Sequence, residues 1–116
     1  MTMTNAAAKK ETPPAPLSLA ELQERLAAVS DIYARLFDVN RTKEWYLLKA
    51  QEELGELTSA YLKSTNQTRT KVTADEAEKN LRDEMADVLS FLLLFAREMN
   101  IDVEDALHQK WLHYLD

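Results

Sequence analysis

The chain predicts an all-α domain of four helices, and three observations carry that prediction. Turn-forming residues are nearly absent: there is one glycine in 116 residues, and the three prolines all precede Leu17, too few to punctuate a sheet. Apolar residues recur at intervals of three and four, the period of a helix face rather than of a strand. Ser18-Leu19-Ala20-Glu21 and Thr73-Ala74-Asp75-Glu76 each have the form of a capping box. In that motif a hydroxyl and a carboxyl satisfy backbone N–H groups reciprocally at a helix start.

Taken in order, residues 1–16 are polar and rich in Ala and Pro. Such a composition buries no core, so they are expected to form a loose arm preceding a domain over 17–116. The first helix runs from the Ser18 cap to about Phe37, with Leu19, Leu22, Leu26, Val29, Ile32/Tyr33 and Leu36 as its apolar stripe. A short break at Asp38-Val39-Asn40 follows, and Asn40 or Thr42 caps a second helix over Lys43–Lys63. Trp45, Leu47/Leu48, Leu54, Leu57 and Ala60/Tyr61 supply its buried side. Gly55 sits in its middle, where glycine costs about 1 kcal/mol relative to alanine. That placement implies either a close approach to the backbone or tight helix packing.

Residues 64–72 are polar and form the one substantial internal loop, with Arg69 and Lys71 as its cations. It reads as a solvated connection or as a flap over a bound anion. The third helix is expected from the Thr73 cap to Met99, with Asn100 as its C′ residue. Its segment Val88–Ala96 is apolar nearly all round, which calls for burial on every side. A chain of this size provides that most readily at a subunit interface. Asp102-Val103-Glu104-Asp105 opens a fourth helix, ending with Trp111, Leu112, Tyr114 and Leu115.

Composition narrows the function classes. The absence of cysteine rules out disulfides, a thiolate zinc site and a cysteine nucleophile. Met1–Pro16 lacks the apolar stretch of a signal peptide, and the longest apolar run is too short to span a bilayer, so a cytoplasmic protein with no membrane partner is expected. The formal charge is −6, from 20 acids against 14 Lys plus Arg. Glu52, Glu53, Glu56, Asp83, Glu84 and Asp87 account for the whole excess. The acidity is local, and a chain without a basic stripe is a poor match to a nucleic-acid backbone.

Those six acids are the centre of the functional reading. Glu53 and Glu56 share one helix face, as do Glu84 and Asp87. Each pair continues into apolar residues: Ala50, Leu57 and Ala60 flank the first, and Val88, Phe91 and Phe95 follow the second. Carboxylates aimed at a core need cations, and Lys49 and Arg82 are too few. An all-oxygen set without His or Cys selects Mg²⁺ or Mn²⁺ over zinc or copper. A di-iron bundle would need a Glu-x-x-His motif. Two solvated acidic faces are the alternative, which two such pairs in one short chain disfavour. The expectation is that the two faces meet around a divalent ion for chemistry on phosphates.

Lys49-x-x-Glu52-Glu53-x-Gly55-Glu56-Leu57, followed by Asp83-Glu84-x-Ala86-Asp87-Val88-Leu89, resembles the MazG-like family of all-α nucleoside triphosphate pyrophosphohydrolases. Its signature is E-x-x-E on one helix and E-x-x-D on the next, and the likeness spans about Trp45 to Ala96. The resemblance implies hydrolysis of nucleoside triphosphates to the monophosphate and pyrophosphate with Mg²⁺ (or Mn²⁺); a homodimer or homotetramer is expected from the all-round apolar segment of the third helix. The resemblance also implies Glu53, Glu56, Glu84 and Asp87 as metal ligands, leaving Glu52 to orient or deprotonate the attacking water. Lys49 and Lys110 stand where many members carry a phosphate-binding lysine. The chain departs from the family after Lys110, where an asparagine and an arginine are usual and Trp111-Leu112-His113 stand instead. Arg69, Lys71 or a residue of another subunit is then expected to complete the phosphate grip. Trp45 and Tyr46 are candidates for stacking on a base, and equally for the core. Two alternatives remain: a phosphoribosyl-ATP pyrophosphohydrolase, and a helical binding module without turnover.

Overall fold

The computed structural model describes residues 14–116. All four helices are present: α1 (Leu19–Phe37), α2 (Lys43–Ser64), α3 (Ala74–Glu98) and α4 (Val103–Lys110), followed by a 3₁₀ turn at Leu112–Leu115. The described residues contain no strand, and none of their helices is long and apolar enough to cross a membrane. The expected N-terminal arm lies outside the described residues except for Pro14, Ala15 and Pro16.

The caps follow the local sequence closely. At Ser18 both halves of the box form: Glu21 N–H donates to Ser18 Oγ (3.1 Å) and Ser18 N–H to Glu21 Oε1 (3.3 Å). Of the two candidates for α2, Thr42 is the cap, its Oγ1 accepting from Trp45 N–H at 3.1 Å. Thr73 Oγ1 accepts from Glu76 N–H at 3.1 Å. Asp102 opens α4 by accepting from Asp105 N–H at 3.0 Å. Asn100 takes the left-handed conformation expected of a C′ residue (φ 53°), and Ile101 N–H returns to Ala96 O at 2.9 Å.

Two helices make the framework. Trp45 of α2 meets Phe91 of α3, and Glu53 meets Glu84 and Asp87. Position rises along α2 as it falls along α3, so the pair is antiparallel, joined by the polar loop at 65–73. Glu53, Ala50, Tyr46, Glu84, Asp87, Phe91 and Leu94 recur at helical spacing, and they turn inward as one continuous seam. The apolar part of the seam, Tyr46, Ala50, Phe91 and Leu94, forms the core with Ala27 of α1; Leu26, Trp45 and Phe95 pack around it. Alpha1 is fastened to α3 by Gln23 Nε2 donating to Leu93 O (3.0 Å) and by a two-pronged Arg97–Glu24 pair (3.0 and 3.2 Å).

Three expectations need correction. Alpha4 stops at Lys110, and Leu112–Leu115 tighten into a 3₁₀ turn. Every residue from Glu104 on is exposed, so nothing packs against this end to hold a longer α-helix. The expected buried side of α2 is largely uncovered among the described residues, with Leu47, Leu48, Leu54 and Tyr61 exposed. In the segment Val88–Ala96, Phe91, Leu93, Leu94 and Ala96 are buried while Leu89 and Leu92 are 53% and 45% exposed, the face that the expected subunit interface would cover. Alpha1 and α2 cover two sides of α3, and the described residues supply no third wall. Gly55 is approached by nothing, since a Cβ built there would meet no atom within 4 Å. Among the described residues, neither close approach nor tight packing is found at Gly55.

Candidate metal centre

The seam turns from apolar to acidic one helical turn beyond Ala50. Glu53 is 3% exposed on α2, and Glu84 and Asp87 face it from successive turns of α3. One carboxylate oxygen from each of the three lies within 4.8 Å of the other two. The antiparallel pairing brings this about. An i, i+3 pair on one helix is pressed against a single acid on the other, with Phe91 closing the apolar side.

Such crowding has electrostatic consequences. Burial first, then a hydrogen bond with Glu53 and the charges of Glu53, Asp87 and Glu56, push the Glu84 carboxyl up to about 7. Burial and the Glu53 charge raise Asp87 as well. Glu84 Oε2 is buried without a hydrogen-bond partner, a placement that carries a cost. Hard oxygen donors of like charge, one of them orphaned, fit Mg²⁺ or Mn²⁺.

A pH dependence follows. Glu84 titrates near 4.5 in its unperturbed state and at about 7 in the fold, so the metal-free fold holds a proton that the unfolded chain gives up. Its contribution is fully present below about 4.5 and is lost as pH rises through about 7. Asp87 acts in the same sense. The melting temperature of the chelator-treated protein is therefore expected to fall between pH 5 and pH 8, and a rise across that interval would contradict this arrangement.

The remaining sequence-predicted residues are placed unequally. Glu56, one turn beyond Glu53, is exposed and outside the converging trio, yet near enough for its charge to raise Glu84. Glu52 is 60% exposed and accepts a hydrogen bond from Lys49 Nζ at 2.8 Å. That bond, with the Lys49 charge, holds Glu52 below the usual carboxylate range. It is thereby a poor base and better suited to orienting a water. Lys49 is half-buried, with Nζ 3.9 Å from Glu53 Oε1. Burial opposes its charge, but Glu52 and then Glu53 more than offset this and raise its pKa.

Trp45 is half-buried, edge-on to Phe91 (centroids 5.7 Å apart) and to Tyr46 (5.2 Å). Tyr46 is a core residue, 4% exposed. Arg69 lies exposed in the 65–73 loop, and Lys110 lies exposed at the end of α4. Alpha4 packs mainly on the 3₁₀ turn, with at most marginal contact to α2 and α3, so within one chain Lys110 is not packed against the acids. Phe91, which the sequence places on the Glu84/Asp87 face, also meets Lys49: its ring lies beneath that side chain, with Nζ 5.7 Å from the centroid.

The antiparallel helix pair thus gathers three carboxylates, at an aromatic-floored seam of an all-α protein, that could hold a metal ion. Residues 41–111 match the family model described as the MazG nucleotide pyrophosphohydrolase domain, and the chain belongs to that family. No curated protein and no solved structure gives a significant match.

Proposed function

We propose that the protein is a Mg²⁺-dependent nucleoside triphosphate pyrophosphohydrolase, cutting between the α- and β-phosphates in the service of nucleotide-pool sanitation. The observation that carries this reading is the convergence of Glu53, Glu84 and Asp87 with one buried, unpartnered oxygen, in a chain of this family. Glu53, Glu84 and Asp87 hold the ion, with Glu56 joining after a side-chain rotation. When bound, the ion neutralises charge on the phosphoryl oxygens and lowers the pKa of a coordinated water. Glu52, kept ionised by Lys49, orients the attacking water. Lys49 and Arg69 are the cations for the outgoing pyrophosphate, and the exposed part of Trp45 is available to a base. Lys110 serves as a phosphate ligand if a neighbouring subunit presents it.

Homo-oligomerisation, as a dimer or tetramer, is part of the proposal. Met85, Leu89, Leu92 and Met99 are exposed along one stripe of α3, and Leu47, Leu54 and Tyr61 stand seven residues apart and exposed on α2. A soluble chain rarely leaves such stripes uncovered, and their spacing is that of helix-to-helix packing. The open space over Gly55 lets a partner helix approach. Sedimentation of the wild-type protein at micromolar concentration is expected to show a dimer or larger, and a monomer would remove this part of the proposal.

The central test is pyrophosphate release from a panel of ribo- and deoxyribonucleoside triphosphates, with Mg²⁺, with Mn²⁺ and with chelator. Metal-dependent release with one favoured nucleotide is expected. Release from none of them, with turnover of phosphoribosyl-ATP instead, would replace the substrate. No turnover of either would leave a binding module.

A further inference from the structure

Lys49 is the one cation that the described residues bring against the acidic seam, and its placement is over-determined. Its Nζ donates to Glu52 Oε1 at 2.8 Å, stands 3.9 Å from Glu53 Oε1 and lies 5.7 Å from the centre of the Phe91 ring. The side chain is only 19% exposed. Exposed lysines at i, i+3 or i, i+4 from a glutamate are common and weakly held. This one is threaded between two acids and an aromatic face, and its charge reaches Asp87 on the opposite helix.

Resting on the metal-site reading above, we infer that Lys49 is a resident counter-ion that is exchanged during loading. In the metal-free protein its ammonium stands in for part of the missing positive charge at Glu53. A divalent ion held by Glu53 would compete with the ammonium, 3.9 Å from Glu53 Oε1, for the same carboxylate charge, and its own charge would repel Lys49. Lys49, still anchored by Glu52 and the Phe91 face, is turned outward toward whatever anion arrives next. The same lysine thus keeps the empty seam folded and becomes available to a phosphate only after the ion is in place. Phosphate without metal meets a lysine already occupied, which imposes an order of binding: ion first, anion second.

The inference separates from a phosphate-binding lysine by what happens before any nucleotide is present. Lys49→Met keeps the length of the stem and its contact with Phe91 but removes the competing charge. In calorimetric titration with Mn²⁺ alone, the variant is expected to bind about tenfold more tightly than wild type, as the loss of a nearby unit charge from a doubly charged ion implies. Its metal-free melting temperature is expected to fall, and the rise on adding Mn²⁺ to exceed that of wild type. Lys49→Arg keeps the charge and should titrate like wild type, which guards against a packing effect or a poorly folded methionine variant. Unchanged or weaker Mn²⁺ binding by Lys49→Met would overturn the exchange and leave the metal site standing. Failure of the wild-type protein to bind Mn²⁺ would overturn the metal reading and this inference together.

Discussion

Replacing Asp87 by asparagine is expected to lower metal-dependent pyrophosphate release by at least about 100-fold, while raising the melting temperature of the metal-free protein. Even the partners that merely orient metal ligands cost about 10–100-fold when changed, so loss of a ligand oxygen at the centre of the seam sets the lower bound. The stability change has the opposite sign for a physical reason. Burial and the Glu53 charge hold Asp87 up, and one oxygen of each acid lies within 4.8 Å of the others. An asparagine removes one repelling charge and adds an N–H donor beside Glu53. A site that repels itself when empty trades stability for the capacity to bind. Wild-type turnover in the variant would exclude Asp87 from the site. A metal-free melting temperature several degrees below wild type would show that the carboxylate is held by attraction rather than by crowding.

The second large effect concerns stability. Phe91 is 2% exposed, the most buried of the core residues, and it touches both parts of the seam: Trp45 edge-on and the Lys49 ammonium over its face. Phe91→Ala is expected to cost about 3–5 kcal/mol, the range for deleting a buried aromatic ring. That is a large share of the 5–15 kcal/mol typical of a whole domain. Half of the buried apolar residues, four of eight, are alanines, so little neighbouring side chain can collapse into the gap. Denaturant titration at matched protein concentration checks this, since association of the chain would contribute to its apparent stability. A loss below about 1 kcal/mol would mean that the core lies elsewhere.

How much of this was legible beforehand differs from element to element. Ser18, Thr42, Thr73 and Asp102 cap their helices as the local sequence implies, and Asn100 turns the end of α3, because a cap is settled within three or four residues of chain. The acids at the seam were legible for a related reason: three- and four-residue spacing on a helix decides which side chains share a face. The inward turn of Glu53 could be read from Ala50 and Ala60 beside it. Expectations failed where the answer depended on what a second element covers. Leu47 and Leu54 are apolar enough for the buried side of α2, yet the described helices leave both about half exposed. The exposure of Gly55 likewise depends on what lies opposite, and the end of α4 on what lies against it.

The sequence by itself determined four helices and their starts, the absence of thiol chemistry, and two acidic pairs each sharing one helix face. Only the tertiary structure decided which acids converge. The antiparallel register of α2 on α3 places Glu53 opposite Glu84 and Asp87, leaves Glu56 outside the converging trio, and sets the Phe91 ring beneath Lys49. Local spacing is a property of one helix. Convergence, burial and the pKa values that follow from them arise between helices, where crossing and register are set by packing around Phe91, Tyr46 and Ala50.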